Sequence, residues 1–323
     1  MVTPVSSGVN QREMNTVTNM PREPSYIAVY NNGILHERAA KSRKILKCCE
    51  LCPHRCKVDR TSDERGFCRS GAKPLISSYN PHFGEEPVLV GPGGSGTIFL
   101  TNCTMRCIYC QNYPISQLEN GREYTNHGLA GIYLRLQNMG CENVNFVTPT
   151  HFVPMILEAL ELAIPEGFHL PLVYNTNGYE LIETLQLLEG IVDVYLPDIK
   201  YASNDMAKKY SGVGNYVEHN RAALKEMFRQ VGLLECDERG VAQKGLIVRH
   251  LVLPDDISGS EDCVRFLAEE LSPDIHLAFM SQYFPAYKAP ETPPLNRRID
   301  RRRYQKLTRM VEELGFNGWI QPY

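Results

Sequence analysis

The 323-residue sequence predicts an α/β fold built on one parallel sheet, and two observations carry that reading. Short β-branched or apolar runs recur from Thr97 onward, and each is followed by a longer stretch whose apolar residues repeat with helical spacing. Strands are expected at residues 97–100, 143–147, 172–176, 192–199, 246–253 and 276–283. After Phe152, the apolar residues Ile156, Ala159, Leu160 and Ala163 recur three or four apart; Tyr304, Leu307, Met310 and Leu314 do so near the end, giving each helix one apolar stripe. Such βα units in series dictate a parallel sheet, because parallel neighbours need a crossover and the helix supplies it. With 43% hydrophobic residues the chain can bury one large core. Loops leaving the strands' C-terminal ends then gather on one side, where ligands bind in open and closed sheets alike.

The formal net charge of -3 lacks the positive field by which a dedicated nucleic-acid binder attracts phosphate. No window reaches the roughly 18 apolar residues of a membrane span, and the stretch up to Pro24 has no apolar signal-peptide core. A cytoplasmic protein is expected, with neither nucleic acid nor membrane as partner. Residues 1–25, rich in Ser, Thr, Asn and Pro, read as a flexible tail. Of 11 cysteines, all but Cys141, Cys236 and Cys263 crowd into two short segments, which without a secretory signal points to metal ligation rather than disulfides. Those three stand singly in periodic segments and read as buried structural thiols.

Directly after the first expected strand runs Asn102-Cys103-Thr104-Met105-Arg106-Cys107-Ile108-Tyr109-Cys110-Gln111-Asn112, a CxxxCxxC arrangement at the mouth of that strand. Three thiolates in one short loop hold three corners of an iron–sulfur cubane and leave one iron open to an outside ligand. Zinc, a redox dithiol and a set of buried thiols are the competing readings. Zinc takes four ligands, usually in paired CxxC or Cys/His spacing, and a lone triplet on a strand-to-helix loop fits that poorly. With Tyr109 immediately before the third cysteine, the segment resembles the radical S-adenosylmethionine (SAM) superfamily.

The resemblance implies a partial (β/α)6 barrel over residues 97–323 and a [4Fe-4S] cluster on Cys103, Cys107 and Cys110. It further implies SAM chelating the open iron and Tyr109 beside the adenine. Pro81-His82-Phe83-Gly84-Glu85-Glu86-Pro87, Gly94-Ser95-Gly96-Thr97 and Cys110-Gln111-Asn112-Tyr113 also resemble a branch related to pyruvate formate-lyase activating enzyme. That likeness runs from about Cys49 to the C-terminus, and the branch implies no settled substrate.

The same resemblance assigns parts of the SAM site to the later loops. Where the superfamily has Gly-Gly-Glu-Pro to accept from the SAM ammonium, this chain has Thr148-Pro149-Thr150-His151, without the carboxylate. The hydroxyls of Thr148 and Thr150 and the local carbonyls are the neutral acceptors left for those donors; a plain turn capping the next helix is the alternative. Asn175 and Asn177 resemble a segment near the ribose and methionine of SAM. Asp198 and Lys200 resemble an Asp-x-Lys segment and, two apart, share one face of a strand. Arg249 matches an arginine near the SAM carboxylate. A buried arginine needs an anionic partner, and an internal pair with Asp198 is the competing reading. His250 faces the other way and is expected against a helix.

Cys49, Cys52, Cys56 and Cys68 put four thiolates into a short segment of the Cys-rich extension spanning residues 26–96. That number closes a zinc site or completes a second [4Fe-4S] cluster, in a segment with little core of its own. Cys48 is an alternate ligand, and His54 is expected at the surface. As iron–sulfur, the module passes an electron to the SAM cluster or anchors substrate; as zinc, it is a clip or docking surface. The glycine run at 91–96 precedes a strand and lacks a phosphate-loop lysine, so it is not read as a nucleotide site. Arg297, Arg298, Arg301, Arg302 and Arg303 read as a solvated face, with docking of a flavodoxin or ferredoxin-type electron donor as the alternative. Resemblance favours an oxidoreductase that cleaves SAM to a 5′-deoxyadenosyl radical, abstracts hydrogen and so activates a glycyl radical enzyme. Radical modification of a small molecule or peptide, and a non-catalytic iron–sulfur carrier or scaffold, are the other readings.

Overall fold

The computed structural model describes Thr3, Pro4 and residues 22–323, so most of the tail assigned to residues 1–25 lies outside the described residues. A short helix (Tyr26–Asn31) and α1 (Ile34–Ile45) lead into the cysteine-rich loop, and β1 (Leu75–His82) then runs antiparallel to β2 (Ser95–Leu100). The alternation follows: α2 (Asn126–Asn138), β3 (Asn143–Val147), α3 (Val153–Ala163), β4 (Leu172–Thr176), α4 (Ile182–Gln186) and β5 (Val194–Pro197). After it come α5 (Asn204–Ser211), α6 (Tyr216–Val231), β6 (Ala242–Leu251), α7 (Ser260–Glu270), β7 (His276–Met280), α8 (Arg301–Leu314) and β8 (Asn317–Ile320).

From β2 to β8 the strands lie side by side in chain order, and every neighbouring pair is parallel. Among the described residues the path runs from β1 to β8, with the two-residue strands Arg122–Glu123 and Thr3–Pro4 beyond its ends and Glu235–Cys236 paired with β6 off the path, so the sheet is an open arc, a partial barrel. Each strand expected from the sequence is present. The fourth is regular only over Val194–Pro197, after which a single bridge between Asp198 and Arg249 continues its course. Two strands escaped the sequence reading. β1 is an antiparallel cover carrying Pro81, and β8 is a short closing strand interrupted by Gly318; neither makes the long apolar run of a buried parallel strand.

Local chemistry sets the helix starts. Thr125 accepts from the Gly128 amide ahead of α2, Ser203 from Met206 ahead of α5, and Asp300 from Arg303 ahead of α8. Helix α3 is apolar almost all round, with Val153, Met155, Ile156, Leu157, Leu160 and Ala163 buried, because α1 and α2 both pack against it. The extension is therefore continuous with the barrel: α1 covers a barrel helix and β1 joins the sheet. The side of the arc away from the helices combines polar contacts, Ser95 Oγ donating to Asn143 Oδ1 at 2.7 Å and Asn145 Nδ2 to Ser95 Oγ at 3.3 Å, with a small apolar cluster of Leu89, Val173, Val194, Leu196 and Ile247. No helix among the described residues is long and apolar enough to cross a membrane.

Leu157 is 0% exposed between these layers. Leu157→Ala is expected to cost about 2–5 kcal/mol, the range for deleting a buried leucine side chain, read as a fall in the urea midpoint.

Candidate functional site

The strands from β2 to β6 open on one mouth, and residues at or just past their ends line a cavity of about 140 Å³. Cys103, Cys107 and Cys110 come from the loop after β2, Thr148 from the loop after β3, Asn175 and Asn177 from the end of β4, Asp198 and Lys200 from beyond β5, and Arg249 from β6. The loop after β2 turns at Asn102, whose φ of 73° lies in the left-handed region that Asn tolerates. The sulfurs face donors. Cys103 Sγ receives Asn177 Nδ2 and the Met105 amide, both at 3.3 Å, Ser211 Oγ donates to Cys107 Sγ at 2.9 Å, and Ser116 Oγ lies 3.1 Å from Cys110 Sγ. Burial pushes the Cys103 thiol up to about 12 and the Cys107 thiol to about 11, so a metal must displace their protons. Among the described residues no three His, Cys, Asp or Glu side chains converge as ligands of a single ion do. The thiolates of a cubane each bind a different iron and need no such convergence. This donor set fits a cluster with one open iron.

Opposite the thiols, Asp198 lies between two cations, with Lys200 Nζ at 2.6 Å from Oδ2 and Arg249 Nε at 3.0 Å from Oδ1. Burial alone would raise the Asp198 carboxyl, but the two positive charges outweigh it and hold the carboxyl below its usual range. The internal pair of Arg249 with Asp198 is thus formed, and Arg249 Nη2 also donates to Asn175 Oδ1 at 2.6 Å. Its side chain remains 18% exposed. Thr148 adopts φ 60°, a left-handed turn costing a β-branched residue on the order of 1–2 kcal/mol, where the superfamily pattern has glycine.

Thr150 and Tyr109 do not line this cavity. Thr150 is buried and donates to Glu180 Oε1 at 2.6 Å; the Thr176 hydroxyl donates to the same oxygen, and the Tyr174 hydroxyl lies 3.4 Å away. Glu180 therefore fastens the loop after β3 to the end of β4. Burial pushes its carboxyl up to about 7 against these hydrogen bonds. The sequence reading missed it; the available signal was one acid in the run Gly178-Tyr179-Glu180-Leu181-Ile182. Tyr109 sits behind the cluster loop with its hydroxyl 2.7 Å from Tyr201 Oη, which in turn lies 2.6 Å from the Ser211 hydroxyl that serves Cys107.

The four N-terminal cysteines lie near one another without converging on a single-ion site. Burial, then the proximity of Cys68, Cys49 and Cys56, raises the Cys52 thiol well above its ordinary value. Cys56 Sγ accepts from the Phe67 amide at 3.3 Å, and a Cβ on Gly66 would lie 2.7 Å from that sulfur. Arg60, 1% exposed, donates to the carbonyls of Gly71 (Nε, 3.1 Å) and His151 (2.8 Å) and points at Cys49 Sγ from 3.8 Å. His54, expected at the surface, is half-buried, because its ring stacks on Phe67 at 3.7 Å and Nε2 lies 2.8 Å from the Thr104 carbonyl. Arg106 Nη2 donates to the Phe67 carbonyl at 2.6 Å. The extension thus rests directly on the loop between Cys103 and Cys107.

Cys48 is exposed, and so is Cys236, contrary to its reading as a buried thiol, because it lies in a two-residue antiparallel strand at the margin; Cys141 and Cys263 are buried. His250 packs toward α7, within 2.8 Å of Ser260 Oγ. Arg297 and Arg303 pair with Asp255 at 2.8 Å and Asp256 at 2.5 Å, as on a solvated face.

Residues 97–233, which hold the triplet and strands β2 to β5, match the family model described as the radical SAM superfamily. The chain belongs to the radical SAM superfamily. Membership implies a [4Fe-4S] cluster, S-adenosylmethionine and radical cleavage of the latter. An uncharacterized protein of Methanocaldococcus jannaschii is 34% identical to this radical SAM chain over 295 residues, covering 88% of it and 80% of the relative. A second uncharacterized protein of that organism is 25% identical over 266 residues, covering 76% and 73%. Among solved structures, a radical SAM methyltransferase from Sphaerobacter thermophilus gives a TM-score of 0.48 at 14% identity, covering 69% of this chain and 64% of that one. At that overlap it adds no detail of the site.

The folded chain keeps the Glu180 proton up to about pH 7, against an ordinary value of 4.5, so it binds more protons than the unfolded chain between those limits. Stability is expected to fall as pH rises through that window, by on the order of 3 kcal/mol at about 1.4 kcal/mol per unit. Urea midpoints from pH 5 to 7.5 should show a shallower decline for Glu180→Gln; equal slopes would mean that Glu180 titrates near its ordinary value.

Proposed function

We propose that the chain holds its [4Fe-4S] cluster on Cys103, Cys107 and Cys110, binds SAM in the adjoining cavity, and activates a glycyl radical enzyme. The observation that carries the first two parts is the cavity, which the three thiols line together with Asn175, Asp198, Lys200 and Arg249. When bound, the cluster and SAM supply one-electron cleavage of the C5′–S bond and the radical that abstracts hydrogen. The chain's residues bind, orient and exclude water. Asn177 and the hydroxyls of Ser211 and Ser116 lie where they stabilise negative charge on the sulfurs. Lys200 and Arg249 share Asp198, and both line the cavity as charged donors for the SAM carboxylate. The hydroxyl of Thr148 is a neutral acceptor for the SAM ammonium, while Leu100, Ile115 and Val147 give the cavity its dry side.

The glycyl radical partner rests on the motifs shared with the pyruvate formate-lyase activating enzyme branch. Cys49, Cys52, Cys56 and Cys68 are assigned zinc or a second [4Fe-4S] cluster, on their mutual proximity around Cys52. A flavodoxin or ferredoxin-type protein is the proposed electron donor.

Replacing Cys103, Cys107 and Cys110 together with Ala is expected to remove about four irons per chain and abolish 5′-deoxyadenosine formation from SAM with dithionite. Retained cleavage would overturn the assignment. Arg249→Ala should weaken SAM binding by about 2 kcal/mol through loss of a charge-assisted bond, measured by anaerobic equilibrium dialysis; unchanged affinity would confine Arg249 to its pair with Asp198.

A further inference from the structure

A second cavity, of about 130 Å³, lies behind Arg249, which lines both. Its wall includes Glu85, Glu86, Met280, Gln282 and Trp319, and it reaches the surface at exposed Gly84. Glu86 is only 10% exposed and lies 4.0 Å from Arg249 Nε, farther than the 3.0 Å at which Asp198 holds that guanidinium. Its Oε2 is buried without a hydrogen-bond partner. Asn145, 0% exposed and bonded to Glu85, likewise keeps a buried Oδ1 with no donor.

The charges do not balance. Glu85, Glu86 and Asp198 are three acids beside two cations, Arg249 and Lys200, and Asp198 holds Arg249 at closer range than Glu86 does. In the free protein the deficit is relieved by a proton, since burial pushes the Glu86 carboxyl up to about 7. An acceptor lacking a donor on Glu86, a second carboxyl on Glu85, more acids than cations and an indole in one small cavity form a receptor for a cation, which brings N–H donors, charge and a preference for an aromatic wall at once. Since a water occupies about 30 Å³ in the liquid, the volume takes a head group of a few heavy atoms.

We propose that this cavity binds one positively charged nitrogen group of the substrate, an ammonium or guanidinium, between Glu85, Glu86 and Trp319. The inference rests on the radical SAM reading above, because the shared Arg249 places the rest of such a substrate toward the cysteine cavity. The nitrogen group belongs either to a small amine or to a basic side chain of a peptide.

The test is calorimetric titration of the anaerobically reconstituted protein with propylammonium, with 1-butanol as the uncharged counterpart, and with N-acetyl-lysine methylamide. Propylammonium should bind and butanol should not, and the isosteric changes Glu86→Gln and Glu85→Gln should each weaken propylammonium at least tenfold. Binding of the lysine amide as well assigns a peptide side chain; its refusal, with propylammonium retained, assigns a free amine. Absence of propylammonium binding, equal binding by both variants, or displacement of propylammonium by SAM would overturn the proposal. 5′-Deoxyadenosine formation by the wild-type protein is measured alongside: failure there removes the radical SAM reading, whereas cleavage without cation binding removes only this cavity.

Discussion

A charge enclosed by the arc must be met by an opposite charge or by oriented dipoles, and that requirement organises the mouth of the barrel. Burial penalises each ionised group by several kcal/mol unless a partner stands in place. Asp198 serves Lys200 and Arg249 together, which fixes the register of β5 against β6 where regular pairing gives way to one bridge. Glu180 has no cation and is met by three hydroxyls, so its carboxyl retains a proton where an exposed one would not. Strand ends, loop turns and side-chain directions are thus tied to one another through a few polar contacts. Gly178 shows how little slack remains, since a Cβ there would lie 2.4 Å from the Asp198 carbonyl.

The same requirement explains the seating of the cysteine-rich extension. Arg60 is as buried as any apolar core residue, yet its partners are carbonyls and a thiol. Neutral thiols leave that guanidinium poorly compensated, whereas thiolates on a metal supply the missing negative charge. Because Arg60 holds the His151 carbonyl and His54 meets the Thr104 carbonyl, the order of the extension and the order of two cavity loops are linked. The extension and the barrel share an interface.

Much of this was legible. Parallel strands announced themselves because strands buried on both faces are continuous apolar runs, and the triplet was legible because three thiolates on one loop serve few other purposes. The positions assembled around the cavity followed from the resemblance to the superfamily, together with the rule that loops after parallel strands converge. What escaped was long-range. The outward turn of Thr150 depends on Glu180, which lies on another loop, and the retreat of Tyr109 depends on Tyr201 and Ser211. Nothing local to Cys49 through Cys68 states which barrel loops the segment rests on, and β1 and β8 carry too few apolar residues to be told from loop.

The docking of the extension also sets an order of events during synthesis. Cys68 leaves the ribosome well before Thr104, His151 and Thr184, whose backbone or hydroxyl groups are what Arg60, His54 and Leu51 grip. At about 10 residues per second, a typical elongation rate, the four thiols wait on the order of 10 s for the surface that buries them. Throughout that interval they stand in water, open to whatever metal or oxidant the cell offers. The earliest-made segment is thereby among the last to reach its finished state.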